Sequence, residues 1–424
     1  MNFRRVCLLL HRYLGLAMAA FLLLAAATGA FLPYYHALDH LANPALHQPK
    51  PHAADAVPWS PVALRNRLEA SVPGIHVPYV PLDTPPGDAV EFFVRPAPAS
   101  TPASGPDAKK PQPLENDQYF LDPYSGEILG GRMRGDLRQG TKNILPFLYK
   151  LHYSLNLGPV GRTIFGCIAL VWTIDCFVGA YLTFPPRQRG ESDGTTRAGW
   201  WSRWGRSWLV KTGGLFKTTF TWHRASGLWL WGILFVFAWS AVGLNLGEVY
   251  FPTMNAVFGM KEGPFETLPR LPAPRWTHTL SWDDAVLRGR ALIETEARDQ
   301  GLTIDREVGL SYLPAYGMFR YVVRSSRDVS EKYANTAIWF HADTGQRVAF
   351  EAPTGEAAGN TIHTWIVALH FADVGGHPYR IFVCFLGLLT VVLTVSGVYL
   401  WWVKRTARHR GAVSRTPSTS TASP

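Results

Sequence analysis

The chain has 424 residues, a formal net charge of +10, and hydrophobic residues at 47% of its positions. The basic excess falls on three short segments: the N-terminus, the connector 185–219 and the stretch from Lys404 onward. Charge placed in this way is typical of the cytoplasmic loops of a membrane protein, so it excludes nucleic acid as the expected partner.

Four apolar stretches are each long enough to cross a bilayer core, which needs about 20 helical residues. They are Tyr13–Leu32, Thr163–Phe184, Ala225–Leu246 and Ile381–Val403. A cleaved signal peptide is the alternative for the first stretch, but its apolar run is too long for one. We therefore predict a multi-pass protein in the lipid bilayer. Both termini and the connector would be cytoplasmic, and the two long polar segments would lie outside.

This topology divides the chain into alternating membrane and soluble parts. The predicted parts are 1–32 (N-terminus and first span), 33–159 (first outer domain and the helix before span two), 160–184 (span two), 185–219 (cytoplasmic connector), 220–246 (span three), 247–378 (second outer domain and the helix before span four), 379–403 (span four) and 404–424 (cytoplasmic tail).

Both outer segments have the patterns of small α+β domains. Helical periodicity, with Ser60 and Ser281 as candidate N-caps, covers Trp59–Gly74 and Leu280–Leu302. Alternating stretches predict strands at Ala89–Val94 and Gly309–Val323. The turn-centred sequences "FLDPYSGEIL" (Phe120–Leu129) and "WFHADTGQRV" (Trp339–Val348) each predict a β-hairpin.

The two halves of the chain repeat each other. "HRYLGL" at His11 matches "HRASGL" at His223, "LHYSLNLGPVGR" at Leu151 matches "LHFADVGGHPYR" at Leu369, and "GAYL" at Gly179 matches "GVYL" at Gly397. Because both halves enter the membrane from the same side, they are predicted to be parallel repeats about a two-fold axis along the membrane normal.

The repeat pairs four histidines. His11 and His223 are expected to face each other near the cytoplasmic side, and His152 and His370 near the outer side. Two opposed imidazoles can ligate one porphyrin iron from both sides, so we predict two haems in the helical core. The chain has no C-x-x-C-H motif, which points to b-type haem rather than covalent attachment. His363 lies two helical turns before His370 and is an alternative partner of His152.

Each histidine recurs with an arginine that is a candidate partner of the porphyrin carboxylates. These arginines are Arg12, Arg224, Arg162 and Arg380. Gly15 and Gly227, four residues after the inner histidines, lie on the same helix face and would leave room for a flat ring. A zinc or copper site is less favoured, because no Cys, Asp or Glu recurs at matching spacing.

Asp175 is the only charged residue inside a predicted span, and its repeat counterpart is Leu393. An acidic residue at membrane depth marks a functional or structural hydrogen bond. We favour a hydrogen bond to a neighbouring helix over a proton relay.

The four spans, the hairpins and the N-terminal "LHRYLGL" resemble the PepSY-associated transmembrane family of Gram-negative inner membranes. Within that family, the chain is similar to di-haem ferric-siderophore reductases. The resemblance implies a helical membrane fold with two periplasmic PepSY-like domains. It also implies that His11, His223, His152 and His370 ligate haem, and that the outer domains border a siderophore site. His341-Ala342-Asp343 departs from the Asp-Pro of the family hairpin.

We therefore expect an oxidoreductase that passes electrons across the inner membrane to a periplasmic ferric-siderophore and so releases iron. The cytoplasmic segments are too short for a nucleotide-binding domain, so the donor would be quinol or a separate reductase. One alternative is a non-enzymatic PepSY-type binding or regulatory protein, which predicts no haem. The other is an iron-siderophore permease, against which the lack of Gly/Pro-broken spans counts.

Overall fold

The computed structural model describes residues 2–53, 55–98, 113–186 and 199–413. Much of the predicted connector and the end of the predicted tail lie outside these residues. In chain order the α-helices are α1 (Phe3–Gly29), α2 (Tyr35–Ala42), α3 (Pro44–His47), α4 (Pro61–Ser71), α5 (Ile144–Ser154), α6 (Gly158–Thr183), α7 (Trp200–Gly205), α8 (Leu215–Trp229), α9 (Trp231–Asn245), α10 (Gly247–Phe258), α11 (Pro264–Thr267), α12 (Trp282–Gln300), α13 (Ala358–His370) and α14 (Gly376–Val413).

The strands are short in the first half of the chain and longer in the second. They are β1 (Ile75–His76), β2 (Tyr79–Pro81), β3 (Val90–Phe93), β4 (Arg95–Pro96), β5 (Gln118–Leu121), β6 (Ile128–Arg132), β7 (Ile304–Leu313), β8 (Met318–Ser325), β9 (Thr336–His341) and β10 (Arg347–Glu351).

The chain forms two compact units. The helical unit comprises residues 1–31, 152–251 and 381–424, and the mixed unit comprises residues 32–151 and 252–380. All strands of the described residues belong to the mixed unit. The sequence therefore correctly separates apolar helices from α+β segments.

Three helical segments are long and apolar enough to span a membrane, namely Phe3–Ala42, Gly158–Thr183 and Gly376–Arg408. They contain the first, second and fourth predicted spans. The third predicted span is not one straight helix, because α8 and α9 meet at an angle of 68°. The described residues thus provide three spans, or four if the bent pair crosses as one.

The bend falls at Leu230, between two tryptophans with different anchors. Trp229 Nε1 donates to the carbonyl of Trp208 at 3.1 Å, whereas Trp231 Nε1 donates to the carbonyl of Cys176 in α6 at 3.0 Å. These indole hydrogen bonds hold the two helix ends on different neighbours. No proline lies at the bend, although Gly227 and Gly232 flank it, and the sequence predicts an unbroken span.

Small residues let the membrane helices approach closely. α6 packs against both α1 and α9. A Cβ added to Gly166 of α6 would lie 2.8 Å from the Leu246 Cβ, and one added to Gly387 of α14 would lie 2.9 Å from the Ala30 Cβ. Glycines at such contacts are typical of helix pairs in membranes, where close backbone packing replaces hydrophobic burial.

The mixed unit contains three antiparallel sheets. The largest has the strand order β10-β9-β8-β7-β2, the second has the order β3-β5-β6, and the smallest pairs β1 with β4. Both predicted hairpins are present, as β5–β6 and β9–β10. The predicted caps also form: the Ser60 hydroxyl accepts from Ala63 N at the start of α4, and the Ser281 hydroxyl accepts from Asp284 N at the start of α12.

One sheet joins the two outer segments. Strand β2 of the first segment pairs with β7 of the second, with Val80 opposite Leu310. Val62 and Val80 of the first segment also pack in one core with Trp282, Phe319 and other residues of the second segment. The sequence suggests two separate outer domains, but this core and this sheet contain residues of both segments. The sequence could not show this, because strand pairing between distant segments leaves no local signal.

Candidate functional site

His11 and His223 lie next to each other in the helical unit, with their rings tilted. Their ring centroids are 6.3 Å apart and the ring planes are inclined by 57°. His11 lies in α1 and His223 in α8, each half-buried. The pair predicted by the repeat is therefore in contact.

Asp175 of α6 orients the His11 ring. His11 Nδ1 lies 2.9 Å and 3.0 Å from the two carboxylate oxygens of Asp175, so Nδ1–H donates to that carboxylate. The Asp175 side chain is only 7% exposed. The predicted hydrogen bond between Asp175 and a neighbouring helix is confirmed. Its partner in that helix is His11, one of the two paired histidines.

His223 is oriented in the same way by a neutral group. Its Nδ1 lies 2.8 Å from the Ser396 hydroxyl and 3.1 Å from the Leu393 carbonyl, both in α14. Leu393 is the residue that the sequence alignment places opposite Asp175. In one half of the chain a carboxylate accepts the hydrogen bond from the histidine Nδ1, and in the other half a backbone carbonyl accepts it.

Each ring also packs against a glycine. A Cβ added to Gly179 would lie 3.4 Å from His11 Cε1, and one added to Gly397 would lie 3.1 Å from His223 Cε1. Sequence reasoning used these glycines only to align the halves, within "GAYL" and "GVYL". Their spacing from Asp175 and Leu393 was the available signal that they support the rings.

Gly15 and Gly227 border open space. A Cβ added to either would meet nothing within 4 Å. His11 and His223 each use Nδ1 for the hydrogen bonds described above. This orientation directs Nε2 away from the supporting helices, as in metal-bound histidines whose second nitrogen is held by an outer partner.

The outer histidines lie in different compact units. His152, at the end of α5, belongs to the helical unit, where its Nδ1 lies 3.0 Å from the Ala25 carbonyl and 3.1 Å from the Thr28 hydroxyl. His370, the last residue of α13, and His363 belong to the mixed unit, where burial lowers the pKa of His363. The pairing of His152 with either residue stays a prediction.

The four arginines have different surroundings. Arg224 donates to the carbonyls of Arg206 and Ser207, Arg162 donates to the Leu244 carbonyl, and Arg380 pairs with Glu331 at 3.1 Å. Arg12 instead lines a cavity of about 220 Å³ together with Tyr13, Trp401, Lys404, Arg405 and Arg408. This cavity gathers four basic side chains, which suits an anionic group.

Long apolar helices, three of them sufficient in length and hydropathy to span a bilayer, define a multi-pass membrane protein. The chain belongs to the family described as the PepSY-associated TM region, whose model matches residues 8–404. No curated protein matches the chain.

Proposed function

We propose that this protein is a haem-containing inner-membrane reductase that passes electrons to a ferric-siderophore in the periplasm. The observation that carries the proposal is the His11–His223 pair, with Nδ1 of each ring held from behind. Imidazole nitrogens bind first-row metals at about 2 Å and lie about 1 Å from their ring centres, so two rings on one metal have centroids about 6 Å apart. The separation of 6.3 Å fits one iron between the rings.

The surroundings of the pair also fit a porphyrin. The open space at Gly15 and Gly227 suits the flat ring, and the basic cavity at Arg12 suits its carboxylates. A b-type haem bound by His11 and His223 would supply a one-electron Fe(III)/Fe(II) couple. The chain orients both imidazoles and fixes their tautomers through Nδ1.

A second haem is proposed on the outer side, with His152 as one ligand and His370 or His363 as the other. Supporting this, His152 repeats the design of the inner histidines. Its ring packs on Gly29, where an added Cβ would lie 2.9 Å from Cε1, and its Nδ1 faces a backbone carbonyl and a hydroxyl. His223 has the same kinds of partner, which supports the parallel repeat as well.

The test is the visible spectrum and pyridine haemochrome of the purified full-length protein, with the variants His223→Ala and His152→Ala. We expect two b-type haems with low-spin bands in the wild type, and loss of a different one in each variant. His52→Ala, an exposed histidine of the mixed unit, is the matched control and should retain both. Protein without haem, from cells supplied with haem precursors, would overturn the proposal.

Reductase activity needs a separate assay. Wild-type protein in proteoliposomes should reduce an external ferric-siderophore when quinol is supplied, as reported by a ferrous-iron chelator. A haem-loaded protein that reduces no ferric complex with quinol or with a cytoplasmic reductase fraction would contradict the choice of substrate.

The bend in the third span favours one further candidate, a permease for the iron complex. Broken helices near the membrane midplane are common in transporters, where their ends contact the substrate. The 68° angle between α8 and α9 is a break within the third predicted span, at its sixth residue. Uptake of a radiolabelled ferric-siderophore into proteoliposomes, without a reductant, would favour the permease. Reduction without uptake would favour the reductase.

A further inference from the structure

Three metal-ligating side chains converge in the mixed unit, apart from the four histidines discussed above. His40, His47 and Glu91 each offer one ligand atom, and these atoms all lie within 4.8 Å of one another. His40 lies in α2, His47 ends α3, and Glu91 lies in β3. Three elements of the fold therefore bring two imidazoles and one carboxylate together.

The backbone holds His47 and Glu91 in register. The carbonyl of His47 accepts from the backbone N–H of Ala89 at 2.8 Å, which ties the end of α3 to the chain just before β3. The His47 side chain is only 2% exposed. Its position is thus determined by packing and by a main-chain hydrogen bond rather than by a mobile surface loop.

Asp39 fixes the tautomer of His47. His47 Nε2 lies 3.1 Å from Asp39 Oδ2, so Nε2–H donates to this carboxylate and Nδ1 carries the lone pair. On the other side of the ring, Nδ1 lies 3.7 Å from Glu91 Oε1. A carboxylate behind the ring and a ligand lone pair in front is the usual arrangement of a metal-bound histidine.

A single guanidinium orients both carboxylates. Arg132, 1% exposed, donates to Asp39 Oδ2 at 2.6 Å and to Asp39 Oδ1 at 3.0 Å. Its Nε donates to Gln118 Oε1 at 2.7 Å, and Gln118 Nε2 donates to Glu91 Oε2 at 2.9 Å. One oxygen of Glu91 is thereby held, and the other faces His47.

His40 completes the group from the solvent side. Its ring stacks on the His47 ring with centroids 4.0 Å apart, and its Nδ1 lies 3.6 Å from Asp88 Oδ1. The His40 side chain is 33% exposed, so it has room to rotate and leaves a path for an ion.

We propose that His40, His47 and Glu91 bind one divalent first-row transition-metal ion of the zinc type, with Asp39, Gln118 and Arg132 as its outer supports. Ligands about 2.1 Å from a tetrahedral ion lie about 3.4 Å from one another, so His47 and Glu91 need to close by only a few tenths of an ångström. Three protein ligands leave the fourth position to water. The inference concerns the mixed unit alone and does not depend on the haem proposal.

The test is zinc binding by the full-length protein in detergent, purified with a tag that lacks histidine. Isothermal titration calorimetry gives the affinity, and metal analysis after gel filtration gives the stoichiometry. We expect one tight zinc per wild-type chain, and binding at least tenfold weaker in His40→Ala and in Glu91→Gln. Glu91→Gln preserves the side-chain shape, and His40→Ala removes a partly exposed ring, so both variants should fold.

His52→Ala serves as the matched control, because this histidine belongs to the same segment but is exposed and outside the group. It should bind zinc as the wild type does. Two results would overturn the proposal: no stoichiometric zinc in the wild type, or equal affinity in the wild type, His40→Ala and Glu91→Gln. The first would leave His47 as an ordinary buried ion-pair residue, and the second would mean adventitious surface binding.

Discussion

Asp175 makes the two inner histidines chemically unequal. His11 donates from Nδ1 to a carboxylate, whereas His223 donates to a carbonyl and a hydroxyl. A carboxylate partner makes an imidazole more electron-rich than a neutral partner does, and an electron-rich axial ligand stabilises the ferric state. If haem binds here as proposed, the hydrogen bond from His11 to Asp175 would lower the midpoint potential of that haem.

Asp175→Asn should therefore raise the midpoint potential of the inner haem. A rise of about 60 mV is expected, since 59 mV corresponds to a tenfold change in a one-electron equilibrium. Redox titration followed by visible spectroscopy measures it. Ser396→Ala, which leaves His223 the Leu393 carbonyl, should shift the potential less. An unchanged potential in Asp175→Asn would argue against His11 as a ligand.

Glu307 in β7 gives the mixed unit a stability that depends on pH. Arg290 lies 2.6 Å from the Glu307 carboxylate, and its hydrogen bond lowers the pKa of Glu307 below the ordinary value of 4.5. A carboxyl whose pKa is lower in the folded state stabilises the fold above its unfolded pKa. That contribution is lost as the pH falls through the folded pKa.

Glu307→Gln should consequently be less stable than the wild type at pH 7, by no more than about 1 kcal/mol because the pair is partly exposed. The difference should shrink as the pH falls below the ordinary value of 4.5 and through the lowered pKa of Glu307, because the wild-type carboxyl then becomes neutral as well. Thermal unfolding followed by intrinsic fluorescence at several pH values measures both. A difference that does not shrink as the pH falls would contradict this electrostatic explanation.

At the scale of elements, the contact between α1 and α14 depends on Gly387. An added Cβ would lie 2.9 Å from the Ala30 Cβ and 3.0 Å from the Ala26 carbonyl oxygen. One of these atoms is a Cβ and the other belongs to the backbone, so neither can rotate away. The two helices would have to move apart to admit a methyl group.

Gly387→Ala should thus destabilise the helical unit by about 1–3 kcal/mol, the usual cost of overpacking. Gly232→Ala in α9 is the matched control, because its added Cβ meets nothing within 4 Å and alanine favours a helix. Thermal unfolding in detergent compares them. A Gly387→Ala protein as stable as Gly232→Ala would mean that α1 and α14 are not held at this distance.

At the scale of the whole molecule, a destabilising substitution in one half of the chain should also destabilise the other half, because the two halves share a core. Val80 of β2 is fully buried among residues of the second outer segment. Val80→Ala should cost about 1–3 kcal/mol through the cavity it leaves. It should also speed proteolysis within 304–351, as mapped by mass spectrometry.

Val57→Ala is the control for this experiment, since Val57 is 80% exposed in the same first segment. It should leave the protease pattern of the second segment unchanged. If Val80→Ala does so too, the two outer segments are stable independently of each other.

What the sequence could predict depended on the range of the interactions. The caps at Ser60 and Ser281 and the two hairpins are local, so they could be identified directly. The contact of His11 with His223 is distant, but the repeat made it visible. The bend at Leu230, the pairing of β2 with β7 and the meeting of His40 with Glu91 have neither a local motif nor a repeated partner, so only the three-dimensional structure reveals them.

The pairing of β2 with β7 also affects how the protein is made. Val80 leaves the ribosome 230 residues before its partner Leu310. At about 5–20 residues per second, the first strand waits roughly 10–50 s for the second. During that time the segments that become α6, α8 and α9 are synthesised. The first polar segment therefore completes the shared sheet only after most of the helical unit has been made, so folding of the mixed unit is tied to synthesis of the helical unit.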